Sequence, residues 1–217
     1  MDRIKILCGY LTACNTFADV GCDHGYIAEH MLKSGLCDFA YITDVSAKSL
    51  AKAENLLADY VADGKCKSIC CDGLEKVPQT IDFAVIAGMG GEEIIKILKN
   101  AFIPKNFLFQ PMKNARALRQ YLLDNGCALT VDDMFFDGYK YYSVIRGERE
   151  SGEQGENYTE NMLAFGRDSL KNPLLKNYLS HKIERINSYL ENEMTTDSKI
   201  SLTAKLNFLK ETLKQCN

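Results

Sequence analysis

Thr16-Phe17-Ala18-Asp19-Val20-Gly21-Cys22-Asp23-His24-Gly25-Tyr26 is the stretch that decides the fold. A short apolar run ends in an acid, and two glycines follow within the next six residues. From Tyr26 to Ser34 the apolar residues Ile27, Met31 and Leu32 recur at helical spacing. The pattern predicts a strand, a tight turn and a helix, the arrangement of a nucleotide-type site at the carboxyl end of the first strand of an α/β sheet. Glycines let the backbone pass close to a ligand, and a helix amino terminus offers unpaired N–H donors. The G-x-G-x-x-G pattern of dinucleotide-binding loops is absent.

Working outward, Phe39 to Asp44 reads as a second strand ending in an acid, followed by an amphipathic helix from Ser46 to Asp63 with Ser46 as its N-cap. Asp44, with Val45 after it, falls about 20 residues past the glycine loop, where such folds hold ribose hydroxyls. An ionised carboxylate accepts hydrogen bonds and presents no donor of its own, which suits it to that partner. Lys67 to Cys71 predicts a third strand closing on Asp72-Gly73, and that acid is placed to accept from an adenine amino group. Ile81 to Ala87 predicts a fourth strand, running into Gly88-Met89-Gly90-Gly91 and a helix from Glu92 to Asn100. Glycines at such a junction imply a backbone crowded by a ligand or a sharp turn. Four successive strand ends carrying acid or glycine signals point to one ligand laid along the carboxyl edge of a parallel sheet. The first loop is close to the D-x-G-x-G-x-G loop of S-adenosylmethionine (SAM) methyltransferases, with Asp23 where the middle glycine stands.

Phe107 to Pro111 predicts a fifth strand and Asn114 to Asn125 a helix. Cys127 to Phe136 and Tyr139 to Arg146 then form two strand-like runs joined through Asp137-Gly138, a hairpin signal. An α/β sheet that finishes in an antiparallel hairpin is characteristic of class I, Rossmann-like methyltransferases. Gly147 to Asn157 is polar and glycine-rich, as an exposed linker would be. The expected organisation is a SAM-binding domain over residues 1–149 and a small helical domain over 150–217. In the latter, Leu174, Leu175, Tyr178, Leu179, Ile183, Ile186 and Leu190, and again Leu202, Leu206, Leu209 and Leu213, repeat by threes and fours. Thr195-Thr196-Asp197-Ser198 separates the two runs, predicting an antiparallel, coiled-coil-like helical hairpin.

The 217 residues leave room for one α/β domain and a small addition, and an apolar fraction of 46% is enough for a core. Nine cysteines show no C-x-x-C pair and include Cys70, Cys71 and Cys127 at apolar strand positions. Reduced, partly buried thiols of a cytoplasmic protein are expected, with no disulfide and no metal. The amino terminus has no long apolar run; Asp2 to Cys14 reads as a helix, so no membrane span or signal peptide is expected. The chain carries a net charge of −3, yet residues 162–217 hold nine Lys/Arg against six Asp/Glu. Lys171, Lys176, Lys182 and Arg185 are expected to gather on the first helix of the pair, either as a solvated face or as an arm contacting phosphates.

Asp19-Val20-Gly21-Cys22-Asp23-His24-Gly25-Tyr26, Thr43-Asp44, Asp72-Gly73-Leu74, Gly88-Met89-Gly90-Gly91 and Gln110-Pro111, with a helical tail, resemble the bacterial TrmK family through nearly the whole chain. The resemblance implies a SAM-dependent methyltransferase acting on N1 of the adenine at tRNA position 22. Cys22 and Gly25 stand where that family commonly has serine and alanine, and Met112 where it commonly has asparagine. Asp19, Gly21, Cys22, Asp44, Val45, Asp72, Gly73, Gly88, Met89 and Gly90 are the expected cofactor contacts. Gln110 and the four tail cations are expected on the substrate side.

Methyl transfer from a sulfonium is an in-line displacement, so alignment and exclusion of water dominate. Adenine N1 is a neutral nucleophile whose immediate product is cationic, and a nearby carboxylate stabilises that charge or accepts a proton from the exocyclic amine. Asp23 is the expected catalytic carboxylate, His24 its assistant or a cofactor contact, and Tyr26 the residue that positions or stacks on the base. The competing role for Asp23 is an N-cap of the helix at Tyr26. Two further functions stay open on the residues: methylation of a small molecule or protein with a dimerising tail, and a non-catalytic SAM-binding module. A monomer is the favoured state.

Overall fold

The computed structural model describes residues 3–149 and 157–216. In chain order the elements are α1 (Arg3–Cys8), β1 (Thr16–Val20), α2 (Tyr26–Lys33), β2 (Phe39–Asp44), α3 (Ala47–Leu56), α4 (Ala58–Ala62) and β3 (Cys66–Cys70). There follow β4 (Phe83–Met89), α5 (Gly91–Asn100), β5 (Asn106–Pro111), α6 (Ala115–Asp124), β6 (Cys127–Phe136) and β7 (Tyr141–Arg149). The tail holds α7 (Glu160–Phe165), a short 3₁₀ turn (Asp168–Lys171), α8 (Pro173–Leu190) and α9 (Thr196–Gln215).

One seven-stranded sheet runs in the order β3-β2-β1-β4-β5-β7-β6. Strands β1 to β5 are parallel, and β7 is antiparallel to both β5 and β6. The first five strands thus follow the doubly wound order, and the chain reverses direction across the sheet between β1 and β4. Side chains alternate faces along each strand. Phe17, Phe83, Val85 and Leu108 enter the core under α1, α2 and α3, while Ala18, Val20, Ala84, Ile86, Phe107 and Phe109 enter the core under α5 and α6. Because β1 is covered on both faces, Phe17, Ala18 and Val20 are all buried, which is why it reads as a continuous apolar run interrupted only by Asp19.

The strands and helices fall close to their sequence-based bounds, with instructive exceptions. The helix expected from Ser46 to Asp63 keeps its Ser46 cap, whose Oγ accepts from the Ser49 N–H at 3.2 Å, but breaks at Leu57 into α3 and α4. Leu57 is fully buried, against the loop at Gly25. Cys70 is exposed rather than buried, and Cys71 lies beyond the end of β3, buried in the turn. The amino-terminal helix stops at Cys8, and Met1 and Asp2 lie outside the described residues. Of the expected linker, Gly147 to Arg149 complete β7, and residues 150–156 lie outside the described residues.

The hairpin of α8 and α9 forms its own apolar cluster from Leu175, Leu179, Ile186, Leu206 and Leu209, seated on Met134 of β6. Thr195 caps α9 by accepting from the Ser198 N–H, so the polar break in the leucine pattern is the start signal of the second helix. The segment before the hairpin is held by a fully buried ion pair. Arg119 Nε donates to Asp132 at 2.8 Å, Arg119 Nη1 donates to the Leu163 carbonyl at 3.1 Å, and the Arg167 N–H donates to Asp132 at 3.3 Å.

Candidate functional site

A cavity of about 440 Å³ opens at the carboxyl ends of β1 and β4, at the point where the strand order reverses. Its floor includes Asp19 and Gly21 from the first loop, and Asp44 and Val45 line its β2 wall. Asp72 and Gly73 bound it beyond β3, and Gly88 and Met89 at the end of β4. Cys22, Asp23, His24 and Tyr26 complete the lining on the α2 side. Twelve of the positions singled out from sequence therefore meet in one cavity.

The first loop owes its shape to local chemistry. Gly21 has φ +67, a conformation that favours glycine, and the flexible end of the Met89 side chain packs into the space a side chain would take there. The Gly21 and Cys22 N–H groups both donate to the Thr43 carbonyl, at 2.8 and 3.0 Å, which straps the loop to β2. Asp19 is 4% exposed and accepts from the Ala28 N–H of α2 at 3.2 Å. Burial is the main cause that raises its pKa to about 7; that hydrogen bond opposes the shift and the charge of Asp44 adds to it. The N-cap position of α2 is Gly25, and no side chain caps it. The carboxylate serving the first turn of α2 is thus Asp19, and the capping role weighed for Asp23 is not the one the geometry gives it.

Asp23 instead adopts a left-handed backbone conformation, φ +47, with its side chain 64% exposed at the cavity mouth. Lys52 Nζ lies 3.6 Å from one of its oxygens and His24 Nε2 3.8 Å from the other. The His24 and Tyr26 rings stack, with centroids 5.4 Å apart and planes 9° from parallel, and Tyr26 is half exposed. Asp44 accepts from the Ser46 N–H at 2.8 Å and the Asp23 N–H at 3.3 Å, so it orients the first loop while facing the cavity. Asp72 is exposed, 3.9 Å from Lys96. Burial and the charges of Asp19 and Asp44 push the Cys22 thiol up, so it lines the cavity as a neutral group.

Three expectations are revised. The crowding at the β4 junction comes from the protein itself: a side chain at Gly91 would meet the Asn114 carbonyl, and one at Gly90 the Lys113 side chain. Gly90 is the N-cap of α5, outside the cavity lining, and its N–H donates to Glu93 at 3.4 Å. The tail cations do not share one helix face. Lys171 belongs to the 3₁₀ turn, and Lys176 and Arg185, nine residues apart on α8, point to opposite sides at 100° per residue. The group that does form is Lys182 with Arg185 and with Lys205 of α9, and partial burial together with those two cations lowers the Lys182 pKa.

Gln110 is fully buried beside the cavity; its Nε2 reaches only the weak acceptor Met112 Sδ at 3.5 Å, and its Oε1 has no hydrogen-bond partner. The sequence reading missed Arg3, whose guanidinium lines the cavity next to Gly88, donates to Met112 Sδ at 3.4 Å and lies 5.9 Å from the Tyr142 ring centroid. A lone arginine in a short helix has no spacing signal that could have found it. Glu93, also in the lining, did have one, as the third residue after an N-cap glycine. Among the described residues, no group of three or more His, Cys, Asp or Glu side chains is placed to hold a metal ion, and no helix is long and apolar enough to cross a membrane.

Residues 1–145 match the family model described as "Methyltransferase domain". The chain belongs to the methyltransferase-domain family. A Mycoplasma pneumoniae protein named "Putative tRNA methyltransferase" is 32% identical to this methyltransferase over 155 residues, covering 69% of this chain and 70% of the relative. Among solved structures, Mycoplasma capricolum TrmK in complex with S-adenosyl-homocysteine matches with a TM-score of 0.89 at 20% identity, over 100% of this chain and 99% of that one. The Bacillus subtilis m1A22 tRNA methyltransferase TrmK matches with a TM-score of 0.79 at 20% identity, over 98% and 97%. These likenesses extend the shared fold through the helical tail of this methyltransferase.

Proposed function

We propose that this methyltransferase transfers a methyl group from SAM to N1 of an adenine in tRNA, at position 22. The observation that carries the reading is the single cavity in which three strand-end acids, Asp19, Asp44 and Asp72, meet the loop bearing Asp23, His24 and Tyr26. Its support is a family match over the catalytic domain, a relative named for tRNA methylation, and a full-length likeness to TrmK that includes the tail.

The residues present fit the cofactor. Asp44 is an acceptor for ribose hydroxyls and Asp72 for an adenine amine, and Asp19, once ionised above about pH 7, offers negative charge toward a cationic methionyl portion. When bound, SAM supplies an electrophilic methyl carbon on a sulfonium. The chain's own part is alignment and electrostatics. Tyr26, half exposed and braced by the His24 ring, gives the target base a flat surface to stack on. Attack by N1 leaves positive charge on the base, and the Asp23 carboxylate stabilises it or takes the exocyclic amine proton. Gln110, expected on the substrate side, is fully buried and outside the cavity lining, so it offers the substrate no surface.

In the tail, Lys182, Arg185 and Lys205 form the cationic group suited to phosphates, with Lys171 and Lys176 as separate outlying contacts. The first 161 residues are net acidic, so binding energy for a polyanion is expected from the tail. The test is nucleoside mass spectrometry of tRNA incubated with the protein and SAM. 1-Methyladenosine at position 22 supports the reading. Methylation of some other nucleoside, or of none, overturns it.

A further inference from the structure

Tyr26 is a shared wall. On one side lies the cofactor cavity; on the other a second cavity of about 640 Å³ opens between α1 and α2. The second is lined by Ile4 and Lys5 of α1 and by Tyr26, Glu29, His30 and Lys33 of α2. Ile4 and Tyr26 line both, so the two spaces adjoin at that edge. The second cavity presents an apolar floor with two exposed lysines at its rim and one carboxylate, Glu29, which lies 3.8 Å from Lys33. Arg3 continues the cationic line into the first cavity. This run of cations stands against the acidic balance of the catalytic domain as a whole.

We propose that the second cavity is a nucleotide subsite, which holds the RNA residue adjoining the target adenine while Tyr26 separates the two. The inference rests on the tRNA reading above. A base that starts in a paired stem must leave its stack before it can reach the first cavity. Its neighbour then loses a stacking partner and needs a surface for its ring and a counter-charge for its phosphate. The outer part of Tyr26 and the apolar floor serve the ring; Lys5 and Lys33 serve the phosphate. The volume lies within the range of sites that hold molecules of nucleotide size.

The test uses the full-length protein and a full-length tRNA transcript. In the double variant Lys5→Ala/Lys33→Ala, KM for tRNA should rise about ten-fold with kcat largely retained, and the dependence of log KM on log salt should flatten by between about one and two units. Calorimetric binding of S-adenosyl-homocysteine should be unchanged, which reads the integrity of the fold and of the first cavity. The control Lys99→Ala/Lys105→Ala, at the far end of the sheet, should match the parent protein in KM and salt slope. If the parent methylates tRNA and the Lys5/Lys33 variant shares its KM and salt slope, the subsite is refuted and the proposed function stands. If the parent methylates no tRNA, the proposed function fails and the subsite falls with it.

Discussion

Asp19→Asn isolates the energetic consequence of burying an acid beneath the candidate site. Asp19 is 4% exposed and accepts a hydrogen bond from the backbone N–H of Ala28 at 3.2 Å. Its pKa is raised from 3.8 to about 7, chiefly by burial. In the folded protein the side chain therefore keeps its proton up to about neutral pH, whereas the unfolded chain releases it near pH 4. Stability from this group is fully present below pH 4 and is lost as pH rises toward 7, the folded value; above that the loss is complete. Three pKa units correspond to about 4 kcal/mol in total, of which about 2 kcal/mol falls between pH 5.5 and pH 8.5. Asparagine keeps an oxygen to accept from Ala28 and does not titrate. Urea unfolding of both proteins at the two pH values should show the parent losing about 2 kcal/mol more than Asp19→Asn. SAM affinity in the parent should also rise with pH through 7, because a cationic ligand favours the ionised acid, and the variant should lack that rise. Parallel stability profiles for the two proteins would refute the argument, since they would place the Asp19 titration in the ordinary carboxylate range.

Asp23→Asn should lower turnover on tRNA by about 10²-fold or more while changing SAM affinity little, because charge stabilisation of the transition state acts on rate; single-turnover kinetics at the parental rate would remove Asp23 from catalysis. Asp44→Ala should weaken SAM binding by about 1–3 kcal/mol, through lost acceptor bonds and a loosened first loop, and calorimetry showing unchanged affinity would exclude Asp44 from the site. Arg119→Ala should destabilise the fold by about 3–5 kcal/mol by leaving the buried Asp132 carboxylate without its cation, an effect read by denaturant unfolding and contradicted by a loss below about 1 kcal/mol. Replacing Lys182, Arg185 and Lys205 together by alanine should weaken tRNA binding and flatten its salt dependence while sparing SAM binding; filter binding that keeps the parental salt slope would show that these cations do not meet phosphates.

The architecture and most of the cofactor edge were legible in the residues. Burial on both faces forces a continuous apolar strand, and a parallel sheet must turn at each carboxyl end, so Asp19, Asp44 and Asp72-Gly73 announced themselves by position along the chain. The Asp137-Gly138 turn set the final hairpin, and Thr195 set the start of α9, because turns and caps are chemistry within a few residues. What the chain could not disclose were relations between distant segments. Which carboxylate serves α2 depended on the strand face Asp19 occupies, since alternation turns it toward that helix. Arg3 reaches the cavity only because α1 packs beside α2, about twenty residues on, and no local pattern encodes that approach. The Lys182, Arg185 and Lys205 group joins two helices whose mutual rotation is decided by how their leucines pack, whereas a row of lysines in sequence says nothing of the side on which each emerges. Local hydrogen bonding and hydrophobic period are properties of neighbours in the chain; the composition of a site is a property of neighbours in space, and only the packed tertiary structure brings those together.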